Sequence, residues 1–104
     1  MVDSSISKFF EKSLKERLGI VADFSGLSQD ELKIIESATG GISYDEADHM
    51  IENAIGTFSL PLGIATNFRI NDKDYLIPMV IEEPSVIAAA SKAAKIARIH
   101  GGFK

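Results

Sequence analysis

Apolar residues in the first half of the chain fall at helical spacing, and each apolar run follows the same polar signal. Ser13 with Glu16, Ser28 with Glu31 and Ser43 with Glu46 are Ser-x-x-Glu boxes. In each, a hydroxyl and a returning carboxylate supply acceptors to the free amide groups of a helix start. Behind the boxes come Leu14, Leu18, Val21 and Phe24, then Leu32 and Ile35, then Ala47, Met50, Ile51 and Ala54, leaving one apolar stripe per helix. Gly26 closes the first predicted helix and Gly40-Gly41 the second, because a left-handed stop favours glycine. The equal spacing of the boxes is not a solenoid repeat, since the intervening residues share no pattern.

From Gly56 the period shortens. Thr57 to Asn67 and Lys73 to Ile81 are rich in β-branched and aromatic residues, with turn chemistry at Ile70-Asn71-Asp72-Lys73, which predicts an antiparallel hairpin. Pro61 marks a bend or an edge in the first strand. Pro84 drives Glu83 toward an extended conformation and suits a first helical position. A helix is expected from about Pro84 to about Ile99, closed by Gly101-Gly102. Its alanines at 88, 89, 90, 93, 94 and 97 lie on nearly every face and permit neighbours all round. The fold class is therefore α+β: three short N-terminal helices, a β-hairpin, then a long central Ala-rich helix. A lone hairpin is marginal in water, so this is an incomplete part of a larger domain, its core completed by more chain or a second copy.

With 104 residues, 45% of them hydrophobic, the chain is one domain or part of one. A net charge of -4 disfavours nucleic acid as a partner. The absence of cysteine excludes disulfides, thiolate metal sites and cysteine nucleophiles, and is compatible with a reducing compartment. No apolar run approaches the ~18 residues of a membrane span and the first residues lack a signal-peptide core, so the expectation is a cytoplasmic protein with no membrane partner.

Among residues that could carry chemistry, Glu83 stands out, beside Glu82 where an apolar strand meets a helix. Strand alternation would send the two carboxylates to opposite faces, so that only one need be buried. An inward Glu83 would be raised in pKa by desolvation and lowered by the helix N-terminus, and could serve as a general acid. The competing reading is an acid that merely complements the helix dipole. Glu52-Asn53 ahead of Gly56 reads equally as a helix exit. Lys92, Lys95 and Arg98 form a basic stripe suited to an anionic ligand, or simply to the C-terminal end of the dipole. His49 and His100 match no ligand spacing, so no metal site is expected. No Gly-x-Gly-x-x-Gly or Walker-type loop is present.

Two long blocks carry more information than these. The run Met50-Ile51-Glu52-Asn53-Ala54-Ile55-Gly56-Thr57-Phe58, continuing to Phe68, resembles the Glu-Asn-Val-Ile-Gly segment of hydroxymethylglutaryl-CoA reductases. The stretch from Asp74 through Ile81-Glu82-Glu83-Pro84-Ser85-Val86 to Ser91 resembles the catalytic-glutamate segment of the same family, in its bacterial and archaeal class. The likeness is weak before about Gly26 and strong from Ala47 to Phe103.

The resemblance implies the NAD(P)H-dependent interconversion of hydroxymethylglutaryl-CoA and mevalonate, with two NADPH or NADH consumed per thioester reduced to alcohol. It implies that Glu83 is catalytic, hydrogen-bonding the reacting carbonyl beside a lysine, an aspartate and a histidine. Ser85 matches a position facing the hydroxymethylglutaryl group, and Lys92 and Lys95 match positions toward the CoA side. Glu52, Asn53 and Gly56 match an active-site loop at a subunit interface, so a homodimer or higher oligomer is expected. Two departures accompany the likeness. Family members continue past Gly-Gly-Phe into a cofactor-binding small domain, and an early basic contact to CoA phosphate has no clear match, Glu11-Lys12 standing near its place. Residues 1–104 are thus expected to be the N-terminal part of the large, substrate-binding domain, with no coenzyme bound and no reductase activity on their own. The alternative is a non-enzymatic self-associating interaction module.

Overall fold

The structure, a computed structural model, describes residues 3–37 and 41–104. All three predicted boxes form. The hydroxyls of Ser13, Ser28 and Ser43 accept from the backbone N–H of Glu16, Glu31 and Glu46 at 3.1, 3.2 and 3.1 Å, and each glutamate accepts from its serine N–H in return. They open α1 (Leu14–Ser25), α2 (Gln29–Glu36) and α3 (Tyr44–Met50). Gly26 stops α1 in the left-handed region, φ 70. The second stop differs from expectation. Ser37 ends α2 in extended conformation, its N–H donating to Lys33 and Ile34 carbonyls and its hydroxyl to Ile34, so these two carbonyls of the last turn are satisfied without a glycine. Gly40 lies outside the described residues. A single 3-10 turn at Phe9–Glu11 precedes α1; too short to show a period, it left no mark in the sequence pattern.

The hairpin pairs β1 (Leu62–Ile70) with β2 (Lys73–Val80), Leu62 opposite Val80 and Ile70 opposite Lys73. Asn71 and Asp72, at φ 50 and 67, make the two-residue turn whose left-handed centre matches strand twist. β1 begins at Leu62 rather than Thr57, because Pro61 has no N–H to pair and β2 already ends opposite Leu62. Between Ala65 (opposite Ile77) and Phe68 (opposite Tyr75) the register shifts, so that Thr66 and Asn67 face Leu76 alone. That is a β-bulge, and Asn67 takes it in the left-handed region, φ 70.

Helix α4 (Val86–Arg98) lies along β1, with Ala94 and Ala65 buried between them. It starts one residue after Ser85, whose left-handed φ of 83 interrupts the helical path, and not at Pro84. At its far end Gly101 and Gly102 turn the chain back onto the hairpin. Phe103 donates to Arg69 O at 2.7 Å and accepts from Asn71 N at 2.8 Å, and its ring stacks on Phe68 at 5.6 Å.

One polar knot joins three remote segments. Arg98 makes bonds of 2.9 and 3.3 Å to the Asp74 carboxylate and donates to Ser4 Oγ, while buried Ser4 donates its N–H to Asp74 and its hydroxyl to Phe68 O. The Arg98 hydrogen bond holds the Asp74 carboxyl below its ordinary value, against burial, which raises it. A lowered folded-state pKa means stability present above the unfolded value of about 3.9 and lost as pH falls through the folded one. Asp74→Asn is therefore expected to cost about 1–3 kcal/mol near neutral pH, with the gap from wild type closing on acidification. Urea unfolding at a series of pH values checks this; a gap independent of pH would discard the ion pair as its cause.

Little of the apolar surface is covered. The buried hydrophobic residues are Ala47, Ala65 and Ala94 among the described residues, whereas Ile55, Phe58 and Ile99 are 95%, 88% and 77% exposed. The radius of gyration is 16.1 Å, against about 13 Å for a compact chain of this length. An open groove of about 1020 Å³ between α1, α2 and the hairpin is lined by Leu18, Ile34, Ile35, Phe58, Leu60 and Val80. Surface of this kind calls for a covering partner.

Candidate active site

Two features of the fold hold the predicted site residues, and they lie at different points along α4. The first is a cleft of about 770 Å³ between α4 and β1 on one side and the segment from Ser5 to Arg17 on the other. Lys92 and Lys95 project from α4 into its lining, which also includes Lys8 and Arg17 and no carboxylate. Four cations without a counter-acid, in a chain of net charge -4, make a local positive field suited to an anionic group. Among the described residues Lys8, Lys92 and Lys95 have no ion-pair partner. Arg17 is engaged, donating to the Phe10 and Lys12 carbonyls and so bracing the 3-10 turn. Apolar residues, among them Phe9, Phe10, Leu14, Leu62, Ile64 and Ile87, make up much of the remaining lining beside a few neutral polar side chains, so the cleft fits a ligand that is charged at one part and apolar at another. Arg98, the third member of the predicted basic stripe, is instead committed to Asp74.

The second feature is the junction Ile81–Ser85 at the head of α4. Ile81 N–H donates to Pro61 O at 3.3 Å, anchoring the entry to the turn. Glu82 and Glu83 follow the end of β2, so strand alternation does not govern them, and both are exposed. The expected burial of one carboxylate is not met within this chain. Dipole capping does not describe Glu83 either. Ser85 is the N-cap, the first turn of α4 holds no acid, and Glu83 has no hydrogen-bond or ion-pair partner among the described residues. Ser85, exposed and left-handed, stands two residues beyond it.

Glu52, Asn53 and Gly56 lie in the irregular segment after α3, all exposed. Asn53, at φ 58, supplies the left-handed turn residue there. α3 ends at Met50, leaving Ile51 and Ala54 outside its stripe. The fold thus brings Lys92 and Lys95 into one cleft, sets Glu83 and Ser85 at the head of the same helix, and leaves Glu52, Asn53 and Gly56 outside the cleft lining.

Sequence reasoning missed Lys8 and Arg17 as cleft cations and Thr66, Asn67 and Ser91 as the polar contacts between β1 and α4. Of the first pair, Lys8 precedes the first periodic signal, and Arg17 lies on the polar side of the predicted first helix, where no apolar stripe marks which residue will face a cleft. For the second, an asparagine inside a strand pattern was the available cue, since asparagine is depleted from strands and favours bulges and turns.

The sequence model of hydroxymethylglutaryl-coenzyme A reductase matches residues 13–104, which includes the Ile81–Ser85 junction and the α4 and β1 wall of the cleft. The chain belongs to the hydroxymethylglutaryl-coenzyme A reductase family. It is 61% identical over 102 residues to the 3-hydroxy-3-methylglutaryl-coenzyme A reductase of Archaeoglobus fulgidus, covering 98% of this chain and 23% of that protein. A probable reductase of Borreliella burgdorferi is 39% identical over 98 residues, covering 88% of this chain and 22% of its own length. Among solved structures, a Streptococcus pneumoniae reductase superposes with a TM-score of 0.80 at 40% identity over 92% of this chain and 23% of that one. The class II enzyme of the same organism, bound to NADPH in open conformations, matches at 0.79. The chain spans about a quarter of the length of these reductases. No described helix is long and apolar enough to cross a membrane, and no three acidic or histidine side chains cluster as a metal site would among the described residues.

Proposed function

We propose that this chain is the N-terminal part of the large, substrate-binding domain of a hydroxymethylglutaryl-CoA reductase, and that the complete protein interconverts hydroxymethylglutaryl-CoA and mevalonate. In the reducing direction two hydrides from NADPH or NADH and two protons convert the thioester carbonyl to an alcohol, and CoA leaves as its thiol. Glu83 hydrogen-bonds the reacting oxygen, where charge stabilisation does most for the rate. Ser85 faces the hydroxymethylglutaryl group. Lys92 and Lys95 attract the phosphates of the CoA moiety into the cleft, while its apolar lining receives the uncharged arm. Glu52, Asn53 and Gly56 belong to an interface with a second subunit, where they approach the partner's site. A cytoplasmic homodimer or higher oligomer is the working unit.

The observation that carries this reading is the family match over residues 13–104, with Glu83-Pro84-Ser85 at the strand-to-helix junction and the cationic cleft farther along the same helix. The contacts to the nicotinamide are assigned, on this reading, to the remainder of the complete protein. The chain lacks a glycine-rich strand-to-helix loop, and Gly102, the glycine in closest backbone contact, packs against Arg69.

Assay of the complete protein with hydroxymethylglutaryl-CoA and each nicotinamide tests the proposal. Turnover is expected there and none from the 104-residue chain alone; turnover by the chain alone would show that it is not a part. Lys92→Ala with Lys95→Ala is expected to raise the KM for hydroxymethylglutaryl-CoA about tenfold or more, an effect that shrinks with added salt. The exposed apolar surface also fits a non-catalytic self-associating module, which would sediment as an oligomer yet show no affinity for CoA esters.

A further inference from the structure

The bulge removes Thr66 and Asn67 from the β1–β2 ladder, and both residues are buried. Their polar groups are spent elsewhere. Thr66 N–H donates to Ser91 Oγ at 3.0 Å, and the Asn67 side-chain amide donates to Ser91 O and to Thr66 Oγ1, each at 3.2 Å. On the other side, Asn67 backbone N–H donates to Ser4 O at 2.7 Å. Ser4 leads into the segment that carries Lys8, and Ser91 directly precedes Lys92. One strand residue therefore ties both walls of the cleft to the sheet. Its left-handed backbone is a conformation asparagine tolerates and most side chains resist, held here by partners on both sides.

We infer that Asn67 is a positioning residue for the cleft: through Ser91 it sets the rotation of α4 on the sheet and so the aim of Lys92. Ala94 and Ala65, small and nondirectional, let the helix approach β1 closely but do not fix its rotation. The Ser91 bonds do. On a helix of 3.6 residues per turn, a rotation of about 30° carries a lysine ammonium several ångströms sideways. Both amide hydrogens of Asn67 are engaged with protein, so its effect on a ligand is exerted through the helix. This inference rests on the reading of the cleft as the CoA subsite.

The test titrates the complete reductase with coenzyme A. Asn67→Gly keeps the left-handed backbone and the N–H to Ser4 while deleting the amide, and Asn67→Asp keeps the shape but cannot donate to Ser91 O. Each is expected to weaken coenzyme A binding about tenfold while kcat at saturating substrate stays within about threefold. In a background with both Lys92 and Lys95 replaced by alanine, the two cations that the same rotation would move, Asn67→Gly should then have no further effect on coenzyme A binding. A further loss of the same size in that background would show general loosening and overturn the inference, as would unchanged affinity in the single variants. Failure of the unsubstituted protein to bind coenzyme A would instead remove the cleft reading, and the inference with it.

Discussion

In the complete enzyme that carries this chain, Glu83→Gln is expected to lower kcat by about 10²- to 10⁴-fold with a small effect on coenzyme A affinity. Glutamine keeps the length and a hydrogen-bonding end but cannot exchange a proton with a reacting oxygen. Glu83 has no structural task within this chain that its loss would disturb: it is exposed, follows the end of β2, precedes the N-cap Ser85 and has no partner among the described residues. Stability should accordingly change by less than about 0.5 kcal/mol, as for an ordinary surface substitution. Steady-state kinetics with thermal unfolding checks both halves. Full activity in the glutamine variant would leave Glu83 an incidental surface acid. On the proposed reading, the walls that would enclose the exposed Glu83 are supplied by a second subunit or by the remainder of the protein.

Gly102→Ala is expected to give the largest loss of stability of any single methyl addition, at least about 3 kcal/mol. Its φ of 86 disfavours any L side chain, and an added Cβ would stand 2.2 Å from the Arg69 carbonyl oxygen, backbone that cannot yield cheaply. Relief requires Phe103 to leave the hairpin, which breaks its two backbone bonds and the stack on Phe68. Gly101→Ala is the control. It also has a positive φ, 93, but nothing within 4 Å of an added Cβ, so only conformational strain of about 1–2 kcal/mol applies. Chemical unfolding of the two variants distinguishes close approach from strain; equal losses would remove the Arg69 contact from the explanation.

The parts of this protein that were legible in its sequence are those decided over a few residues. Each serine box forms because hydroxyl, carboxylate and amide lie within one helical turn, and the Asn71-Asp72 turn forms because both residues tolerate the left-handed region. The same local logic placed Gly26 and the Gly101-Gly102 reversal. It misplaced the start of β1 by following β-branched and aromatic content back past Pro61, and that of α4 by following Pro84, since strand length depends on what β2 offers opposite and the helix start depends on Ser85. The Glu52-to-Gly56 and Glu83-Ser85 segments were legible as family resemblance alone, since Glu52, Asn53, Gly56, Glu83 and Ser85 all lie exposed in this chain and their own burial marks no site.

What the sequence by itself determined is the family, the order of elements and the caps that bound them, because these rest on covalent neighbours and short-range hydrogen bonds. Only the tertiary structure decided that Arg98 pairs with Asp74 rather than extending the basic stripe, that Lys8 and Arg17 face Lys92 and Lys95 across a cleft, and that Asn67 binds its two walls. Those outcomes join residues distant along the chain. Their energies depend on which polar groups a bulge leaves unpaired and which charges packing brings near, and spacing along a sequence encodes neither.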